Sequence, residues 1–292
     1  MKTYDECISC FERQAADACE LCDMEPNRTA EVVDAVRDKT AAFSRLRSPV
    51  EMAVDIHALV HVAAGNRDPY AAIKHASNCA CRDSMEQLSG HLDSSSNRFE
   101  TAVKLAIAGN LIDFGAYRPV TLSEGHILRA VEEALQQPLS GDSLESLHAL
   151  IDGARSILFI GDNAGECFLD TFILDQLPLD RVTYAVRGRP ILNDATLADA
   201  KEAGIDQRCR LIDTGDGSPG VILNRCSAEF LTVFDNADLV IAKGQGNYES
   251  LSEIPGKTRV FLTKVKCPVI ARDIGYPVGS NVIRIMRSKE LL

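Results

Sequence analysis

The chain is 292 residues long, 46% hydrophobic and 25% charged, which is enough to bury a sizeable core without disulfide staples. Its formal net charge of −11 argues against nucleic acid or an anionic membrane as partner, so an anionic substrate would need a local positive centre. Trp is absent and aromatics are only 5%, which leaves no base-stacking platform, and no apolar run approaches the ~20 residues of a membrane-spanning helix.

Met1 to Cys10 carries Asp5 and Glu6 and no apolar signal core, so the cytoplasm is the expected compartment. In that reducing setting the ten cysteines are expected as thiols, with a few as candidate metal ligands. From Asp5 to about Gly115 the pattern is helical, with apolar residues three and four apart at Val32, Val33 and Val36, then at Val54, Ile56, Leu59 and Val60. Gly65-Asn66 and Asp68-Pro69 break it, the latter as the start of a further helix, and His91 to Asn97 reads as a polar loop. Phe99 to Ala108 is a strong helix, and Gln136 to Ser143 reads as a surface connection.

After Ser156 the rhythm changes to short apolar runs separated by helix-length segments. The runs are 157–160, 182–186, 210–212 and 238–242, followed by 260–262 and 268–271. This alternation predicts an α/β fold, a mostly parallel sheet flanked by helices in a Rossmann-like three-layer sandwich, with a helical N-terminal portion. The expected division is 1–118 for the helical portion and 119–292 for the α/β portion.

Ligands of such sheets sit beyond the carboxyl ends of the strands. Those positions carry Gly161-Asp162-Asn163-Ala164-Gly165-Glu166, then Arg187-Gly188-Arg189-Pro190 with Asn193-Asp194-Ala195-Thr196, then Lys243-Gly244-Gln245-Gly246-Asn247. Asp162, Asn163 and Asp194 offer hard oxygens without paired Cys or His, a donor set that suits magnesium or manganese. A helix starting near Gly165 would aim amides at an anion, and Lys243 could add a point charge on phosphate. Asp162 and Asp194 can equally be read as helix caps, and Lys243 as a solvated strand end. The functional case rests on the three loops together.

Two C-x-x-C pairs, Cys7/Cys10 and Cys19/Cys22, lie in helical sequence; Cys7 and Cys10 are a candidate second metal position, weighed against plain buried thiols. His57 and His61 are four apart without the following Glu of a zinc protease, so a packed or surface pair is expected. Gly244-Gln245-Gly246 is only part of a dinucleotide fingerprint, and no Walker lysine motif or Gly-x-Ser-x-Gly elbow occurs.

The three strand-end segments resemble the damage-control phosphatase family, formerly domain of unknown function 89. Cys7-Ile8-Ser9-Cys10, Gly65 to Tyr70, Ala108 to Phe114 and Lys266-Cys267-Pro268 resemble its compact bacterial and archaeal branch. The resemblance implies a metal-dependent phosphatase acting on a sugar phosphate or a damaged phosphorylated metabolite. It implies metal ligands Asp162, Asn163 and Asp194 and one divalent ion, Mn2+, Mg2+, Co2+ or Ni2+. It also implies a phosphate-binding region from Lys243 to Tyr248, with Lys243 and Asp162 catalytic. Gly165, Glu166, Arg187, Gly244 and Asn247 are further candidate substrate contacts, as are Asn110 and Asp113, which face the same cleft in that family. Two other functions stay open at this point, an S-adenosylmethionine-dependent methyltransferase and a non-catalytic metal or metabolite binder.

Overall fold

A computed structural model describes residues 1–65, 67–109 and 124–288 of the chain. The front half is helical, as its periodicity predicts: α1 (Asp5–Leu21), α2 (Pro26–Ala42), α3 (Pro49–Ala63), α4 (Ala71–Asp93) and α5 (Arg98–Ala108). Ser48 opens α3 with a reciprocal capping box to Glu51, and Pro49 stands at the first helical position, where its missing N–H costs nothing. Asn97 caps α5 through the amide of Glu100. Asp68 folds the 68–70 turn before α4 by accepting the Tyr70 amide.

The remainder is α6 (Glu124–Gln136), β1 (Leu139–Gly141), α7 (Leu144–Gly153), β2 (Ile157–Ile160), α8 (Glu166–Leu174), β3 (Val182–Val186) and α9 (Leu197–Glu202). It continues with β4 (Arg210–Asp213), α10 (Ala228–Asn236), β5 (Leu239–Lys243), α11 (Gly244–Leu251), β6 (Thr258–Lys264), α12 (Pro268–Ile274) and β7 (Asn281–Met286). The sheet order is β1-β7-β6-β5-β2-β3-β4. Strands β2 to β6 run parallel, while β7 is antiparallel to β6 and carries β1 beside it. Three expectations are corrected. The run 268–271 is helical, because Pro268 occupies the first turn of α12 and Cys267 caps it. The strand β7 was not anticipated. Part of the Gln136–Ser143 connection is β1, paired to β7 through Leu139 and Asn281.

The central strands are buried on both faces, which is why they read as continuous apolar runs. Ile157 and Phe159 of β2 and Leu239 and Ile241 of β5 enter one core with α5, α7 and α8. Leu158, Ile160, Val240 and Ala242 enter the opposite core with α10, α11 and α12. A third, smaller core joins α1, α2 and α3 through Phe11, Val36, Met52 and Ile56. Helix α5 shares the first core with the sheet, and the expected boundary at 118/119 lies outside the described residues. No helix among the described residues is long and apolar enough to cross a membrane.

Candidate functional site

From β2 the chain winds outward to β3 and β4, then returns to the other side of β2 as β5 and β6. Strand order therefore reverses between β2 and β5, and a crevice opens at their carboxyl ends. Asn247 ties the two ends together, its Nδ2 donating to the carbonyls of Gly161 (3.1 Å) and Lys243 (2.7 Å).

The loop after β3 folds back onto the end of β2. Ala195 N donates to Asp162 O (2.8 Å), Ala164 N donates to Asn193 O (2.9 Å), and Asn163 and Asp194 form an isolated antiparallel bridge. This short ladder brings together three oxygen donors that lie 32 positions apart in the chain, from Asp162 to Asp194. Neither aspartate is a helix cap: Thr196 caps α9 in a box with Asp199, and α8 begins after Gly165. Asp199 is also paired with Lys74 (3.3 Å) and accepts from Asn78 (3.0 Å), which anchors the loop's far end to α4.

Asp162, Asn163 and Asp194 line one wall of a cavity of about 1120 Å³, whose other walls include Arg13, Tyr70, Glu249 and Lys266. Their hydrogen bonds leave a consistent remainder. Arg187 Nε donates to Asp194 Oδ2 (2.6 Å), and Asn163 Nδ2 donates to Asp162 Oδ2 (3.2 Å) and Glu166 Oε1 (2.6 Å). Oδ1 of each of the three residues takes no hydrogen bond from a described residue. An Arg187 guanidinium nitrogen lies 3.8 Å from Asp162 Oδ1.

Behind these donors lies a buried charge network. Lys243, with 0% exposure, donates to Glu166 Oε2 (3.0 Å) and Asp170 Oδ1 (2.5 Å), and Tyr184 donates to Asp170 Oδ2 (2.7 Å). Burial opposes the charge on Lys243, but Asp170 and Glu166 outweigh it and hold the ammonium protonated above its ordinary range. Burial, then the neighbouring Glu166 and Asp194, push the Asp162 carboxyl well above the usual carboxylate range, against Arg187 and Lys266. Burial likewise raises Asp194 and Asp170, opposed by Arg187 and Lys243 respectively. Four carboxylates (Asp162, Glu166, Asp170, Asp194) and two buried cations (Arg187, Lys243) thus share the described floor, with the charge of Lys266 also acting on Asp162. The three remaining oxygens are hard donors on an acidic floor, so the residues fit a magnesium- or manganese-class cation. Among the described residues no group of three or more His, Cys, Asp or Glu side chains is arranged to hold a metal; the candidate set here is two carboxylates and the Asn163 amide.

The other residues singled out from sequence fall into distinct places. Lys243 faces α8, not the cavity, and is spent on two carboxylates. Glu166 and Arg187, each 1% exposed, also lie behind the donors. Gly165 is needed where α8 crosses α4, since a Cβ there would overlap Ser77 Oγ. Gly244 has φ +78°, and a Cβ there would sit on Asp162 Oδ2. Asn247 ties the strand ends. These six hold the floor in place and do not line the cavity. Asn110 and Asp113 lie outside the described residues. Cys7 and Cys10 line the far side of the cavity with Cys267, as free thiols. Cys19 packs in the α1–α3 core. His57 is buried beside Tyr70, its pKa lowered to about 4 by burial and then by His61. Sequence reasoning missed Asp170, Tyr184, Lys266 and Glu249. Asp170 had a signal, since it lies four residues after Glu166 on one face of α8.

Comparison with known proteins identifies the family. Residues 3–282 match the damage-control phosphatase ARMT1-like domain family. The chain is 35% identical over 295 residues to a damage-control phosphatase of Pyrococcus horikoshii, covering 99% of both chains. It is 31% identical over 290 residues to a damage-control phosphatase of Archaeoglobus fulgidus, covering 98% of this chain and all (100%) of that one. The crystal structure of a DUF89 family protein from Pyrococcus horikoshii superposes with a TM-score of 0.85 at 33% identity, covering 99% of this chain and 100% of that one. The chain belongs to the damage-control phosphatase family.

Proposed function

We propose that this member of the damage-control phosphatase family hydrolyses the phosphomonoester of a small metabolite, a sugar phosphate or a damaged phosphorylated intermediate, with a divalent ion at Asp162, Asn163 and Asp194. The observation that carries the metal is the convergence of three hard oxygen donors, Asp162, Asn163 and Asp194, whose hydrogen bonds leave one oxygen of each free of a described donor. The names of two relatives support the phosphatase. The cavity has the size of a small-metabolite pocket.

When bound, the ion neutralises phosphoryl oxygens and lowers the pKa of a coordinated water. Lys266, on the cavity wall and close enough for its charge to lower the Asp162 pKa, is the cation we assign to a phosphate oxygen. Lys243, enclosed by Glu166 and Asp170, acts on the floor instead. Asp162 has one oxygen on the Asn163 amide and one left over. We assign that oxygen to the ion, which makes Asp162 a ligand and water the nucleophile. The backbone ladder between 162–164 and 193–195 fixes the donors before substrate arrives, which makes positioning and charge stabilisation the main sources of rate. The cytoplasm is the compartment in which we place this activity.

A screen of phosphorylated metabolites with Mn2+, Mg2+, Co2+ or Ni2+, beside a chelator control and Asp162→Ala, tests this. Phosphate release should require the ion and vanish in the variant. Release that survives either treatment overturns the assignment, and ion binding without any turnover makes the protein a binder instead of an enzyme.

A further inference from the structure

Lys243, which can only donate, sets the direction of its links in the buried network behind the metal position. Tyr184 donates to Asp170, and Lys243 donates to both Asp170 and Glu166. An ammonium has no acceptor, and an ionised carboxylate has no donor. Glu166 Oε1 therefore faces Asn163 as an acceptor, 2.6 Å from the amide nitrogen. The second amide hydrogen meets another carboxylate oxygen, Asp162 Oδ2 at 3.2 Å. With both N–H groups drawn to carboxylates, Asn163 Oδ1 is turned away from Glu166. The reverse rotamer would set the amide oxygen against two carboxylate oxygens and aim two N–H donors at the cation. The hydrogen-bond network, which is what decides an amide's orientation, favours this choice through the 2.6 Å contact to Glu166.

We propose that Glu166, held as an acceptor by Lys243, is a positioning residue that fixes the Asn163 side chain with its oxygen toward the metal position. The role presupposes the divalent ion proposed above. It gives the buried Lys243–Asp170–Tyr184 chain a function: it keeps Glu166 in place so that a neutral amide serves as a ligand. An amide there leaves the floor one charge less negative than a third aspartate would.

The test is Glu166→Gln, read by calorimetric Mn2+ binding to the metal-free protein. Lys243 can only donate, so the new side chain must give Lys243 its oxygen and give Asn163 its NH2 group. Asn163 then turns its own oxygen inward and its nitrogen outward. Loss of such an outer partner costs ~10–100-fold in metal affinity, and a loss in that range is expected. The double variant Asn163→Asp/Glu166→Gln has the wild-type net charge and oxygens on both sides of residue 163, so it should recover to within ~3-fold of wild type, well inside that range. A merely structural Glu166 would give no such rescue. Unfolding of the metal-free variants, followed by circular dichroism, confirms that each is folded. If the single variant is not folded, the double variant decides, with ~10-fold weaker binding counting against the proposal. Wild-type affinity in Glu166→Gln, or a double variant no tighter than the single one, overturns the positioning role. Failure of the wild type itself to bind a divalent ion would instead overturn the metal reading.

Discussion

Lys243→Met separates a structural lysine from a phosphate-binding one. The methionine fills much of the same volume but removes the charge that two buried carboxylates share at 3.0 and 2.5 Å. Breaking a buried ion pair by deleting one partner costs ~3–5 kcal/mol, because the survivor is stranded without water or counter-charge. A chain of 292 residues unfolds with an entropy of ~0.6 kcal/mol/K at ~2.1 cal/mol/K per residue, so the melting temperature should fall by ~5–8 °C. The loss should depend on pH. Burial already holds Asp170 above the usual carboxylate range, and without Lys243 its proton is retained further still. An acid raised in the folded state favours folding at low pH and loses that contribution as pH rises above its unfolded value of ~4. The deficit against wild type should therefore be smallest near pH 5 and largest near pH 8. Thermal unfolding of both proteins without metal or phosphate measures it. A change below ~0.5 kcal/mol at pH 8, as a surface lysine would give, refutes the buried-network account.

Three further outcomes are expected. Gly244→Ala forces a positive φ on a side-chain-bearing residue, costing ~1 kcal/mol, and drives its methyl onto Asp162 Oδ2; Mn2+ titration should show weaker binding, and unchanged affinity would count against the packing described. Lys266→Ala should raise KM for a phosphorylated substrate, and weaken inhibition by inorganic phosphate, with stability within ~0.5 kcal/mol of wild type; an unaltered KM would remove Lys266 from the phosphate. Glu249, half-buried on the cavity wall, has its carboxyl pushed up to about 7 by burial, with Asp273 adding to the rise against Gln245 and the amino terminus. It therefore costs stability as pH climbs from its unfolded value toward 7, so Glu249→Gln should gain ~1–2 kcal/mol on wild type between pH 5 and pH 8 after allowance for its exposure. A gain toward acid pH would contradict that sign.

The fold was legible where strands are buried on both faces. Ile157–Ile160 and Val182–Val186 announce themselves as apolar runs that end in polar, glycine-bearing loops. Strand β7 breaks its run with Arg284 and follows α12, a helix whose segment reads as a strand, so it carried no such mark. Pro268 to Ala271 has the composition of a strand, and only the proline at the first helical position and the cysteine before it point to α12. The donors Asp162, Asn163 and Asp194 were legible as strand-end residues, but the direction of Lys243 was misjudged. Period-2 alternation held the answer. Leu239 and Ile241, of the same parity, enter the core shared with α8, so Lys243 faces α8 as well. Lys266 was quoted only for the resemblance, and its place on the cavity wall went unread, because it stands two residues past the end of β6 (Lys264), where alternation no longer fixes direction.

The divalent ion proposed for the cavity floor would also tie the survival of each molecule to its supply of cation. A ligand that binds the folded state alone adds RT ln(1 + [L]/Kd) to its stability, about 2.7 kcal/mol at a hundredfold excess over Kd. Copies without an ion keep their mutual repulsion among Asp162, Asp194, Glu166 and Asp170, and open more often. If activity needs the proposed ion, proteases in a metal-starved cell would remove ion-free copies first and leave the remaining population enriched in loaded protein.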